Sequence, residues 1–166
     1  MAMLIVFAGL PGTGKSTIAR AAALRLAAVY LRIDTIEQAI RAAGVPDPGS
    51  AGYVAATHLA AENLRLGRTV IADSVNPLKI TRDAYRDVAE RCGVQCLDVE
   101  VICSDTPLHR HRVETRRSTV DGLLLPTWEQ VEQRRYDAWD RPRLQLDTAR
   151  LSVEESVARI LAAATP

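Results

Sequence analysis

Nine residues near the start of the chain, Gly9-Leu10-Pro11-Gly12-Thr13-Gly14-Lys15-Ser16-Thr17, hold the densest chemistry in the sequence. Their spacing fits G-x-x-x-x-G-K-[ST], in which glycines let successive backbone N–H groups turn inward on phosphate oxygens where a Cβ would obstruct them. Lys15 adds a point charge directed at β- and γ-phosphates, and Ser16 offers a hydroxyl suited to Mg²⁺. Gly9, Pro11, Gly12, Thr13, Gly14, Lys15, Ser16 and Thr17 are therefore the expected contacts of a nucleoside triphosphate. The flanks agree. Met3 to Ala8 reads as a buried strand, and Ile18-Ala19-Arg20-Ala21-Ala22-Ala23-Leu24 as a helix whose positive end faces the anion.

Two acids stand where apolar runs stop. Asp73 ends Thr69-Val70-Ile71-Ala72, the place expected of a carboxylate serving the Mg²⁺ shell directly or through water; with Ser74 and Asn76 it can equally organise the next turn. Asp34 ends the run 29–33 and is expected beside the γ-phosphate on the acceptor side, to take or orient the proton of an attacking hydroxyl. Capping the helix at Thr35, with Glu37 three residues on, is compatible with that task. Arg112 and Arg116 are four apart, hence expected on one helical face, where guanidinium groups could meet the charge of phosphoryl transfer. His109 and His111 point in different directions from the same helix and are expected at the surface.

The elements that carry these residues alternate. Strands are expected over 3–8, 29–33, 69–73, 97–103 and 143–147, and helices over 15–28, 35–43, 50–66, 81–91, 106–118, 126–139 and 152–164. Ser152 and Glu155 form a capping box for the last helix. Strand–helix alternation with short loops implies an α/β fold of three layers, a five-stranded parallel sheet with helices on both faces. Ligands in such sheets bind beyond the carboxyl ends of the strands, where the glycine loop, Asp34 and Asp73 all fall. No repeat or linker divides the chain, so a single domain over 1–166 is expected.

Composition narrows the classes. With 166 residues, 48% hydrophobic and 25% charged, the chain can build a core, and 4% aromatics means building it from Leu, Val, Ile and Ala. A net charge of +1 argues against a nucleic-acid partner. No apolar run approaches the ~20 residues of a membrane span, and no basic segment precedes the first strand, so a cytoplasmic protein is expected. Cys92, Cys96 and Cys103 lack the pairing of a disulfide framework and the spacing of a zinc site, and read as small hydrophobes.

Taken together, GLPGTGKST, the strand ending at Asp34, VIADSVNP followed by Arg82, VICSDTPLHRHRVETRR and RLQLDT resemble the small P-loop kinases, the group of zeta toxins, gluconate kinases, chloramphenicol phosphotransferases and polynucleotide kinases. The resemblance covers nearly the whole chain and implies a nucleoside-kinase-like fold using ATP and Mg²⁺. It implies that Asp34 is the acceptor-side base and that Asp73, Ser74 and Asn76 lie near the metal and acceptor. Arg112 and Arg116 would then belong to a lid around 105–125 that closes over ATP, and Asp147-Thr148 would contact the adenine. The group often has a basic residue two or three places after its Asp34 equivalent; Ile36, Glu37 and Gln38 stand there instead, which argues against a phosphorylated or polyanionic acceptor.

The expected activity is transfer of the γ-phosphoryl of ATP to a hydroxyl of a small molecule. Its acceptor pocket is expected between the helices 35–43 and 50–66, with Tyr53 and His58 as lining candidates, in a monomer or homodimer. The alternative is an ATP-hydrolysing switch with no small-molecule acceptor, to which Asp34 would be dispensable. No N-K-x-D-like motif points to guanine, and no helical lid domain follows that would suit a motor ATPase.

Overall fold

Every residue of β1 (Met3–Ala8) is buried, because this strand sits mid-sheet and sends alternate side chains into two separate cores. The computed structural model describes residues 1–164. After β1 come α1 (Lys15–Leu26), β2 (Val29–Arg32), α2 (Ile33–Ala42), α3 (Ala51–Arg65), β3 (Val70–Asp73) and α4 (Lys79–Cys92). Then follow β4 (Gln95–Ile102), α5 (Thr106–Thr115), α6 (Trp128–Glu132), β5 (Leu144–Asp147) and α7 (Val153–Ala164). The five strands form one parallel sheet in the order β2-β3-β1-β4-β5. Ile5 and Phe7 pack with Ile18 and Ala22 of α1 and Val157 and Ile160 of α7 on one face. Leu4 and Val6 pack with Ala56, Ala60 and Leu64 of α3 and Tyr85 and Val88 of α4 on the other. The three-layer α/β architecture expected from the alternation is the one observed.

Three boundaries differ in ways that matter for the site. α2 begins at Ile33, not Thr35, with Arg32 as N-cap and no side-chain cap bond, so Asp34 lies inside the first helical turn and caps nothing. α5 stops at Thr115; Arg116 is already extended (φ −64°, ψ 149°), so Arg112 and Arg116 do not share a helical face. The helix expected over 126–139 ends at Glu132.

Residues 134–143 are irregular because their polar groups are engaged elsewhere. Arg82, only 1% exposed, donates to the carbonyls of Asp137 (2.7 Å) and Ala138 (3.3 Å), and to those of Asn76 (3.1 Å) and Pro77 (2.8 Å). Asp137 N–H donates to Pro77 O at 2.8 Å. These are groups that a continuing helix would need for its own ladder. The Arg82 guanidinium also lies 4.2 Å from the centre of the Trp139 ring, a cation–π contact out of water. Opposite it, the buried Glu100 carboxylate of β4 accepts from Trp139 Nε1 (2.8 Å), Tyr136 Oη (3.3 Å), Arg143 Nε (2.6 Å) and Gln145 Nε2 (2.8 Å). Glu100 and Asp98 thus interrupt the apolar alternation of β4 for a reason; Asp98 takes Arg86 at 2.8 Å. No helix among the described residues is long and apolar enough to cross a membrane. The three cysteines are unpaired and half-buried, and burial pushes the Cys96 thiol up to about 12, unsuited to nucleophilic work.

Candidate active site

The loop between β1 and α1 is built for an anion. Gly14 is the N-cap of α1 in the left-handed region (φ 89°), and it has no side chain to accept from the first-turn amides. Those amides and the helix dipole therefore point positive partial charge into the space ahead of them. Gly12 (φ 85°) lies against α5 so closely that a Cβ would fall 2.5 Å from Val113 Cγ2. Pro11, Gly12, Gly14, Lys15, Ser16 and Thr17 line a cavity of about 780 Å³, room for a nucleotide. Gly9 and Thr13 do not line it and act as scaffold. A Cβ at Gly9 would collide with Val101 O at 2.3 Å, and Thr13 Oγ1 donates to Leu10 O at 2.9 Å.

Lys15 is buried and its Nζ lies 3.3 Å from Asp73 Oδ1. Asp73, 1% exposed, also accepts from Tyr30 Oη at 2.6 Å and has Arg32 Nε at 3.9 Å. Burial alone would raise its pKa; the Lys15 charge, the Tyr30 hydroxyl, Ser16 and Arg32 outweigh that and hold it below the ordinary carboxylate value. The same pairing pushes the Tyr30 phenol up, through burial first and the Asp73 charge second. Because the folded state depresses Asp73, its contribution to stability is fully present above the ordinary pKa of 3.8 and is lost as pH falls through the lower folded value. The deficit of Asp73→Asn relative to the parent in urea unfolding should accordingly be largest near neutrality and shrink below about pH 3.8. A deficit independent of pH would contradict the pairing.

Asp34 lines the same cavity, and also a smaller adjoining one of about 210 Å³ formed by α2, Tyr53 of α3 and the start of α4. Glu37, Val75 and Arg134 are shared by both, so the two spaces form one cleft from the glycine loop to the helices 33–42 and 51–65. Tyr53 lines the smaller end; His58 is exposed and lines neither. Burial raises the Glu37 pKa against the lowering by Arg41.

The roof of the cleft is the segment after α5. Thr115 to Thr119, Leu123 to Leu125 and Pro126 line the large cavity, and Thr119 Oγ1 accepts from Arg32 Nη1 at 2.8 Å. Arg116 faces the cavity with its charge disfavoured by burial and favoured by Asp34. Arg112 also lines it, holding Thr148 by Oγ1 (2.8 Å) and O (3.3 Å), while Thr148 Oγ1 donates to Thr13 O at 2.7 Å. Asp147 does not line the cavity. Its carboxylate takes Ser104 N–H and Ala149 N–H, each at 3.0 Å, and serves the loop between β4 and α5.

Sequence reasoning passed over four residues of this region. His109, expected at the surface, is buried, with Nε2 2.8 Å from Pro11 O and its ring edge-on to Trp128 at 5.2 Å. It braces the glycine loop from α5. Tyr30 and Arg32 had one available signal, a polar side chain within a strand that delivers an acid. Arg134, about a hundred residues from Asp34 in the chain, had none.

The fold and loop are of the P-loop type, and the chain is similar to known proteins along nearly its whole length. A family profile described as an AAA domain matches residues 4–155, and the chain belongs to that family. No match was found among curated protein sequences. Among solved structures, a candidate kinase from Chloroflexus aurantiacus is 21% identical, with 98% of this chain and 96% of that one covered and a TM-score of 0.75. Kti12 of Chaetomium thermophilum, in complex with ADP-AlF3, is 22% identical over 98% and 100% of the chains, TM-score 0.73. The APS kinase CysC of Mycobacterium tuberculosis, in complex with AMPPNP and APS, is 18% identical over 99% and 98%, TM-score 0.67.

Proposed function

We propose that this chain is an ATP-dependent phosphotransferase that moves the γ-phosphoryl group of ATP to a hydroxyl of a small molecule. One observation carries the reading: the glycine loop and Asp34 line a single cavity of about 780 Å³, and Asp34 also lines a smaller adjoining chamber. A nucleotide-driven switch has no use for that chamber.

In this reading the amides at the head of α1 and the Lys15 ammonium hold the phosphate tail. The donor set fits Mg²⁺: Ser16, which lines the cavity, and the buried Asp73 would hold the ion, which would supply positive charge against the phosphate oxygens. Asp34 receives the proton of the acceptor hydroxyl as its oxygen bonds the γ-phosphorus and the bond to the β,γ-bridging oxygen breaks, leaving ADP. Arg116 balances charge on the equatorial oxygens, and the segment 116–126 keeps water from competing with the acceptor. The fold likeness to an APS kinase and a gluconokinase, both named for small-molecule acceptors, supports this reading.

The test is ADP release with Mg-ATP across a library of hydroxyl compounds. At least one should raise ADP release well above the rate without acceptor. Slow hydrolysis that no compound stimulates would favour the switch. With a working acceptor, Arg116→Ala should lower kcat by about 10²-fold and shift ATP affinity far less, since its charge is met mainly in the transition state. Unchanged turnover would refute the role.

A further inference from the structure

Two cations of the cleft, Arg117 and Arg134, have no task in the reaction above, and of these Arg134 alone reaches the smaller chamber. Arg134 lines both chambers, and its guanidinium has no hydrogen-bond or ion-pair partner among the described residues. The carboxylates beside it are already matched: Arg41 lies 3.6 Å from Glu37, and Arg32 3.5 Å from Asp34. An exposed arginine is ordinarily a solvated one. What distinguishes Arg134 is the backbone that carries it, which two buried charged side chains hold in place. Arg82 grips the carbonyls of residues 137 and 138, and Glu100 grips Tyr136 and Trp139, within five residues of Arg134. A capping box on Thr127 and Gln130 fixes the other side. The side chain is thereby presented at a fixed place on the chamber wall.

We propose that Arg134 binds a carboxylate of the acceptor, and that the acceptor is a small hydroxy acid whose hydroxyl lies toward Asp34. The hydroxyl part rests on the kinase reading; the carboxylate part does not. Charge decides between carboxylate and phosphate. Among the described residues Arg134 is the one basic side chain lining the smaller chamber, which also holds Asp34 and Glu37. One planar guanidinium matches a monoanionic carboxylate in a two-bond fork. A phosphate dianion carries one charge more than a single guanidinium matches, and Asp34 and Glu37 already hold Arg32 and Arg41. Size agrees: about 210 Å³ corresponds to about seven water volumes, room for an acid of roughly ten heavy atoms and too little for a nucleotide. Tyr53 and Thr81 line the same chamber; Thr81 Oγ1, which donates to Leu78 O at 2.8 Å, can still accept from a hydroxyl of such a molecule, and Tyr53 Oη accepts from Asn76 N–H at 3.2 Å.

The experiment compares hydroxy acids with alcohols of the same skeleton, glycerate with glycerol and threonate with threitol, with glycerol 3-phosphate as the phosphate arm. Two readouts are taken: calorimetric binding to the nucleotide-free protein, and acceptor-dependent ADP release. At least one acid should bind about tenfold or more tighter than its alcohol. Arg134→Met should bring that ratio to within about threefold of unity with the unfolding midpoint unchanged, and Arg134→Lys should recover part of it. The proposal is overturned if no acid outbinds its alcohol, if the Met variant keeps the preference, or if glycerol 3-phosphate outbinds glycerate. Arg134-dependent binding without any ADP release would keep the carboxylate site and sink the kinase reading. ADP release with neutral alcohols alone would do the reverse.

Discussion

Asp34→Asn should lower acceptor-dependent turnover by about 10²- to 10⁴-fold and leave nucleotide affinity intact. The amide keeps the shape of the carboxylate and an oxygen for Arg32, which lies 3.5 Å away, so α2 and the cleft wall stay in place while the proton acceptor is removed. Because Asp34 lies in the first turn of α2, the loss of one charge also removes a modest favourable interaction with the helix dipole, worth about 0.3–1 kcal/mol. That amount is too small to mask a loss in turnover. The measurement is steady-state ADP release at saturating acceptor, with ATP affinity titrated separately. Turnover within about threefold of the parent would mean that Asp34 only lines the cleft.

The largest stability effect is expected at Glu100. Replacing it with Leu removes the acceptor for Trp139 Nε1, Tyr136 Oη, Arg143 Nε and Gln145 Nε2 together, and leaves a guanidinium without its counter-charge. Breaking a buried pair by deleting one partner typically costs about 3–5 kcal/mol, and the added Leu surface cannot recover that while the donors remain. Glu100→Gln, which keeps two hydrogen-bonding ends, should cost less, about 1.5–3 kcal/mol. Urea unfolding checks both, and amide exchange should show residues 134–143 opening first in the Leu variant. A Leu variant within about 1 kcal/mol of the parent would show that the carboxylate is not what holds this segment.

Much of this architecture was legible because its chemistry is local. A glycine loop between a strand and a helix must keep its residues in order, so Gly12, Gly14, Lys15 and Ser16 were identifiable one by one. Asp73 was legible as a strand-end acid, since a parallel sheet gathers those ends along one edge, whereas Asp34, expected at a strand end, stands one residue into the helix that follows β2. The rest depended on partners distant in the chain. The apolar periodicity near 126–139 resembles a helix until Arg82 and Glu100, from α4 and β4, claim its carbonyls and aromatic rings. His109 looks like one more polar residue of a basic helix until α5 is laid against the glycine loop. Arg116 looks like a helical neighbour of Arg112, but the helix ends there so that the chain can turn back and reach Arg32 through Thr119.

Arg32 is where ceiling and floor meet. Its guanidinium touches the hydroxyl of Thr119 overhead and reaches toward both acids below, three oxygen-bearing groups from widely separated stretches of the chain. A cation divided three ways redistributes when a stronger anion enters beside it. Any oxyanion that draws hydrogen bonds from Arg32 therefore alters the hold on the ceiling and the charge felt by the floor in a single event, through one side chain and without disturbing the sheet beneath.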